Sequence, residues 1–136
     1  MRGPLVVGLG SARGVPPTAV RALLHRIYDE HDLDPRLVRA YASVDRRAAE
    51  PGLLGAIAPA PLRTFPAALL DAVAVPNPSA RARAAVGTGS VAEAAAFLAA
   101  AEIADGDWAR LRLVVPKTTG DRVTAAVVRI GLTPRV

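Results

Sequence analysis

The chain has 136 residues, 51% of them hydrophobic, which is enough for one domain with a buried core. Its 17 basic residues outnumber its 12 acidic ones, so the net charge is +5, and all but one of the basic residues are arginine. Cysteine is absent, which excludes disulfides and thiolate metal sites. No apolar run reaches the roughly 18 residues of a membrane-spanning helix. We therefore expect a cytoplasmic protein that does not associate with membranes.

The arginine-rich composition favours an anionic partner, because a guanidinium group binds carboxylate or phosphate through two parallel hydrogen bonds. The arginines are scattered, and only Arg46-Arg47 and Arg81-Arg83 lie close together. No aromatic residues alternate with them, and no nucleic-acid-binding motif is present. We therefore predict that the partner is not a nucleic acid. The alternative is an arginine-rich solvated surface without a dedicated partner.

The chain begins with a predicted strand, helix and second strand, an order that favours parallel strand pairing. Leu5 to Leu9 is an apolar run typical of a buried strand. Pro16-Pro17 suits the start of a helix. The apolar residues that follow at helical spacing are Val20, Leu23, Leu24, Ile27 and His31. The run from Leu37 to Val44 predicts the second strand.

Shorter elements and a long helix occupy the middle of the chain. The shorter ones are a helix from Glu50 that ends before Pro59, a strand over Leu62 to Phe65, and one or two helical turns over Pro66 to Val73. The prolines of Val75 to Ser79 exclude regular structure there, and Ser79 can cap the turn through Arg83. Ser90-Val91-Ala92-Glu93 is a capping box in which Glu93 reaches back to the helix start. It predicts an alanine-rich helix to about Glu102.

Two strands at the end of the chain complete the predicted sheet. They cover Leu111 to Val115 and Val123 to Ile130, and the turn residues Thr118 to Asp121 lie between them. Their proximity predicts an antiparallel hairpin. Residues 1–136 are therefore expected to form a single three-layer α/β/α domain. Its sheet is mixed, has about five strands and carries helices on both faces.

The first glycine-rich turn is a candidate anion site. Gly8-Leu9-Gly10-Ser11-Ala12-Arg13-Gly14 follows a strand and precedes a helix, where glycines let backbone amides approach an anion. A tight turn with no ligand is the alternative, and Arg13 favours the anion. The glycine spacing differs from that of the dinucleotide fingerprint, so no cofactor is expected.

A second candidate follows the second predicted strand. Asp45, Arg46 and Arg47 come directly after it, and the carboxyl ends of strands are where α/β proteins gather their ligands. Asp45 is either a general base or a group that satisfies backbone amides. Glu50 is favoured as a cap of the helix that it precedes.

Three further positions complete the list of candidates. Lys117, the one lysine, is either an exposed tip or a contact for an anion. The turn Val86-Gly87-Thr88-Gly89-Ser90 is either a second anion cradle or an ordinary helix cap. His25 and His31 are six residues apart, which does not fit a helical metal pair, so no metal site is expected.

Five blocks of the chain, in order, resemble the CbiG/CobE family of cobalamin biosynthesis. They are Gly8 to Gly14, Ala42-Ser43-Val44-Asp45 through Leu53, Val75-Pro76-Asn77-Pro78-Ser79, Val86 to Ala95, and Pro116-Lys117 with Val123 to Arg129. In this family the unit is the carboxyl-terminal domain of cobalt-precorrin-5A hydrolase or occurs alone. Two positions depart from the family pattern: Ser11 stands where many relatives carry Cys, and Arg47 stands where Lys is usual.

The resemblance implies a protein of cobalamin biosynthesis that binds a corrin or precorrin intermediate as an accessory or carrier protein. Such ligands carry acetate and propionate groups around a flat apolar macrocycle. The implied ligand-binding residues are Gly10, Ser11, Arg13, Arg47 and Lys117, with other enzymes of the pathway as further partners. One alternative is a hydrolase that opens a lactone with Asp45 as general base. The other is a module that acts only with a separate partner protein.

Overall fold

A computed structural model describes residues 3–73 and 91–132. Within them the strands are β1 (Leu5–Ser11), β2 (Val38–Val44), β3 (Leu62–Phe65), β4 (Leu111–Thr119) and β5 (Val123–Ile130). The helices are α1 (Pro17–Glu30), α2 (Pro51–Ile57), α3 (Ala67–Asp71) and α4 (Val91–Ile103). Short 3₁₀ turns cover Pro35–Leu37, Asp45–Arg47 and Trp108–Arg110. The loop predicted at 75–79, the Ser79 cap and the glycine-rich turn at 86–90 lie outside the described residues.

The strands form one mixed sheet in the order β3-β2-β1-β5-β4. β1, β2 and β3 run parallel, and β5 is antiparallel to both β1 and β4. The α/β class and the mixed five-stranded sheet are therefore confirmed for the described residues. This topology brings the carboxyl ends of β1, β2 and β4 to the same edge of the sheet as the amino end of β5.

Helices cover both faces of the sheet, because β1 is buried without interruption from Leu5 to Leu9 and so is covered on both sides. Leu5, Val7 and Leu9 pack into the cluster that contains the apolar residues of α1 and α2. Val6 packs into the other cluster, which contains the alanines of α4. Because side chains alternate along a strand, β1 supplies both layers of the core.

Small residues let α4 lie directly against the sheet. A Cβ atom added to Gly8 of β1 would lie 1.8 Å from the carbonyl oxygen of Ala92, so only glycine permits this approach. The facing side chains of α4 are mostly alanines that are fully buried. The run of alanines in α4 is therefore a packing requirement of this layer.

Two strands are longer than the sequence predicted, because their pairing with β5 continues past the apolar run. β1 extends to Ser11, which pairs with Val123. β4 runs through Pro116 to Thr119, with shifts of register between Val115 and Thr118. The proline is tolerated because β4 is an edge strand. Lys117 therefore lies within β4 and not in the turn that follows it.

Candidate functional site

A cleft with a volume of about 320 Å³ opens at the edge of the sheet where β1, β2 and β4 end and β5 begins. Three segments that are distant in sequence meet there: the end of β1, the turn after β2, and the connection between β4 and β5. The described residues that line it are Gly10, Ser11, Ala12, Val44, Arg46, Arg47, Val91, Thr119, Gly120, Arg122, Val123 and Thr124.

Arg47 is held in place by the end of β1. It lies in the 3₁₀ turn that follows β2, and its Nε donates a hydrogen bond to the carbonyl oxygen of Ser11 at 2.9 Å. Within the described residues its Nη groups make no hydrogen bond, so they remain donors for a ligand. A half-buried guanidinium that is already oriented loses less conformational entropy when it binds an anion.

Arg122 is fixed to the same strand end from the other side. Its carbonyl oxygen accepts a hydrogen bond from the N–H of Ala12 at 3.0 Å, and its Nη2 donates to the carbonyl oxygen of Arg13 at 2.8 Å. Its φ of 64° is in the left-handed region, which non-glycine residues adopt at a cost of order 1–3 kcal/mol. The two contacts with the turn after β1 hold this conformation and bring the side chain to the rim of the cleft.

The charge of the cleft is entirely positive among its described lining residues. Arg46, Arg47 and Arg122 contribute guanidinium groups, and no Asp or Glu lies among them. Val44, Val91 and Val123 supply apolar surface. The Oγ atom of Ser11 is buried and has no hydrogen-bond partner among the described residues. These features together suit a ligand that has carboxylate groups on an apolar body.

The predicted ligand-binding residues divide into two groups. Gly10, Ser11 and Arg47 line the cleft. A Cβ added to Gly10 would lie 2.7 Å from Oγ1 of Thr124, so any larger residue would have to displace that side chain. Arg13 has an exposed side chain outside the lining and contributes its carbonyl to Arg122. Lys117 also lies outside the lining.

The backbone N–H of Lys117 donates to Oε2 of Glu93 at 2.8 Å. Glu93 is buried on α4 and reaches across to β4. We predicted that its carboxylate turns back to the start of its own helix, and that prediction was wrong. Lys117 has a backbone N–H free for this bond because the pairing of β4 with β5 shifts register beside it.

The two carboxylates after β2 do not form an acid-base pair in the cleft. Asp45 is exposed and begins the 3₁₀ turn, where its carbonyl accepts from the N–H of Ala48. Glu50 is buried, and its Oε2 accepts from the N–H of Gly14 at 3.1 Å. The predicted capping of α2 by the Glu50 side chain is wrong, because that side chain holds the turn after β1.

Comparison with known proteins decides the family. The family model for the cobalamin synthesis G C-terminus matches residues 5–128. The chain belongs to this family. It is 36% identical over 127 residues to Protein CobE of a Sinorhizobium species, an alignment that covers 90% of this chain and 78% of that one. It is therefore a protein of cobalamin biosynthesis.

Solved structures of this family share the fold. A crystal structure of CobE, a protein from the cobalamin biosynthetic pathway, superposes with a TM-score of 0.76 at 32% identity, covering 99% of this chain and 95% of that one. The cobalamin biosynthesis protein chiG from Agrobacterium tumefaciens gives 0.66 at 26% identity, covering 93% and 98%. The family resemblance and the fold predicted from the sequence are thus both confirmed.

Arg46 and Arg122 were not among the predicted ligand-binding residues of this family member. Sequence patterns indicated Arg46 only as the neighbour of Arg47, and they did not indicate Arg122 at all. The bond from Arg122 to Arg13 joins residues 109 positions apart in the chain. The antiparallel pairing of β1 with β5 is the feature that brings Arg122 to the cleft, and a predicted pairing of these strands would have indicated it.

A second, wider groove of about 750 Å³ lies near the carboxyl end of α4, whereas the cleft-lining Val91 is at its amino end; the groove surrounds Trp108, which stacks on Phe97. Its arginine, Arg63, forms an ion pair with Glu102, and Asp105 also lines it. The charged residues in its described lining carry a net negative charge, so this groove does not suit an anionic ligand.

Two other features are absent from residues 3–73 and 91–132. No group of three or more His, Cys, Asp or Glu side chains that could hold a metal ion occurs there. No helix in the same ranges has both the length and the apolar character needed to cross a membrane.

Proposed function

We propose that this chain binds an anionic corrin or precorrin intermediate in the cleft and acts as an accessory or carrier protein of cobalamin biosynthesis. The observation that carries the proposal is the meeting of Arg46, Arg47 and Arg122 around an apolar floor at one edge of the sheet. Corrin acids have the complementary chemistry, with carboxylate groups around a flat apolar ring.

The arrangement supports binding over hydrolysis. A lactone-opening reaction needs a general base at the ligand, and Asp45 lies outside the residues that line the cleft. The groups that do line it are donors and hydroxyls, which hold anions. We therefore assign Arg47 and Arg122 as the main carboxylate-binding residues, Arg46 as an exposed third cation, and Ser11 as a hydroxyl contact.

A spectral titration of the purified chain with hydrogenobyrinic acid tests this proposal. Saturable binding is expected, and Arg47→Ala and Arg122→Ala should each weaken it by roughly 10- to 100-fold, the value of a hydrogen bond to a charged group. Arg39→Ala is the matched control. Arg39 is exposed at the amino end of β2, roughly 17 Å from Val44 at about 3.3 Å per residue.

The possible outcomes separate the hypotheses. An unchanged affinity in folded Arg47→Ala and Arg122→Ala variants would show that the ligand binds elsewhere. Absence of binding in the wild-type chain would contradict the carrier proposal and favour a module that requires a separate partner protein. Formation of a ring-opened product from a lactone-bearing precorrin would support the hydrolase alternative.

A further inference from the structure

As bounded by the described residues, the cleft is too small to enclose a whole macrocycle. Pockets that bury most of a drug-sized ligand have volumes of roughly 300–1,000 Å³, and the 320 Å³ of this cleft is at the lower end of that range. A corrin acid is larger than such a ligand. Only one edge of the ring, with the side chains that it carries, can therefore enter among Arg46, Arg47 and Arg122.

The guanidinium groups of the cleft can distinguish two kinds of side chain along the edge of the ring, carboxylates and carboxamides. A guanidinium group has donors and no acceptor, and a carboxylate has acceptors and no donor. A carboxamide brings an NH₂ group with two donors of its own, and it carries no charge. Facing three guanidinium groups, the amide forms no ion pair, offers one acceptor oxygen where the carboxylate offers two, and leaves its own N–H donors against donors.

Two of the guanidinium groups are fixed in place, so the difference between a carboxylate and a carboxamide matters most at Arg47 and Arg122. Nε of Arg47 is committed to the carbonyl of Ser11, and Nη2 of Arg122 is committed to the carbonyl of Arg13. Neither side chain can turn away to water without breaking these bonds. Apart from the arginines, the polar side chains in the described lining are the hydroxyls of Ser11, Thr119 and Thr124.

We infer that the cleft holds one edge of the corrin ring and selects its free carboxylates over carboxamides. The inference rests on the proposed function, since it specifies which form of the ligand the same cleft accepts. The corrin acid bound here would then be the substrate of a reaction that converts those carboxylates to amides. Conversion of the edge carboxylates to amides would release the ligand from this protein.

The test compares two cobalt corrinoids with the same ring: cobyrinic acid, whose side chains are free carboxylates, and cobyric acid, in which most of these are carboxamides. Both are titrated against the wild-type chain and the Arg47→Ala, Arg122→Ala and Arg39→Ala variants. We expect cobyrinic acid to bind at least about tenfold more tightly. The preference should shrink in Arg47→Ala and Arg122→Ala and persist in Arg39→Ala.

Three results would count against the inference, and each would overturn a different part of it. Equal affinity for the two corrinoids would overturn the selection of carboxylates and leave the proposed function standing. A preference that survives both cleft variants would place the selection outside the cleft. Binding of neither corrinoid would overturn the proposed function and the inference with it.

Discussion

The carboxylate of Glu50 accepts a hydrogen bond from the backbone N–H of Gly14 at 3.1 Å and so joins the start of α2 to the turn after β1. Glu50 is buried, and Gly14 has a positive φ of 79°. This turn also contains Arg13, whose carbonyl orients Arg122. The contact therefore stabilises the wall of the cleft as well as the fold.

Replacing Glu50 should destabilise the protein in proportion to the acceptor that is lost. Glu50→Ala leaves the N–H of Gly14 without its partner, so the free energy of unfolding should fall by roughly 1–3 kcal/mol. Glu50→Gln retains an acceptor oxygen and should cost less. Urea denaturation measures both, with Glu30→Ala on the exposed end of α1 as the control. Equal stability of Glu50→Ala and Glu30→Ala would contradict this role.

The same substitution should affect stability very differently at two glycines. In Gly8→Ala the new methyl group meets the Ala92 carbonyl, so α4 must move away from the sheet, at a cost of about 1–3 kcal/mol or more. In Gly55→Ala the nearest atom is Cγ of Pro17 at 3.3 Å, and α2 gains helix propensity. Thermal melts should therefore show a clear loss for Gly8→Ala and little or no loss for Gly55→Ala. A stable Gly8→Ala variant would refute the close contact between α4 and β1.

Arg47→Lys tests whether the shape of the guanidinium matters as well as its charge. Lysine keeps the positive charge but loses the planar guanidinium group. In Arg47, Nε of that group donates to the Ser11 carbonyl and leaves the Nη groups for the ligand. Affinity for hydrogenobyrinic acid should lie between that of wild type and that of Arg47→Ala. Affinity equal to wild type would show that the position requires charge alone, as the lysine usual in the family pattern would suggest.

Sequence patterns predicted those parts of the molecule that depend on local chemistry. The capping and apolar periodicity located α1 and α4, and the position of Arg47 directly after a buried strand indicated its place in the cleft. Lys117 was misplaced because strand pairing continues beyond the apolar run into Pro116 and Thr119. Arg122 was missed because its role depends on β5 lying beside β1, a contact between the two ends of the chain.

The stability of the protein should fall at alkaline pH because of Tyr28 on α1. Burial is the main reason that the pKa of its phenol is raised above the ordinary value of 10.0, and the nearby Tyr41 adds to the effect. Above pH 10 the unfolded chain loses this proton while the folded chain retains it, so folding becomes less favourable as the pH rises. Tyr28→Phe should reduce the slope of stability against pH between about 9.5 and 11 in urea denaturation. An unchanged slope would show that Tyr28 titrates normally.

The most direct test of the central claim is to map the ligand on the protein by ¹H–¹⁵N correlation NMR, since the chain has a mass of only 14.1 kDa. Hydrogenobyrinic acid contains no metal and is added in steps to the labelled chain. The account predicts the largest amide shifts at Ser11, Arg47, Gly120 and Thr124, with little change around Trp108. Shifts concentrated around Trp108, with the amides of the cleft unmoved, would contradict it.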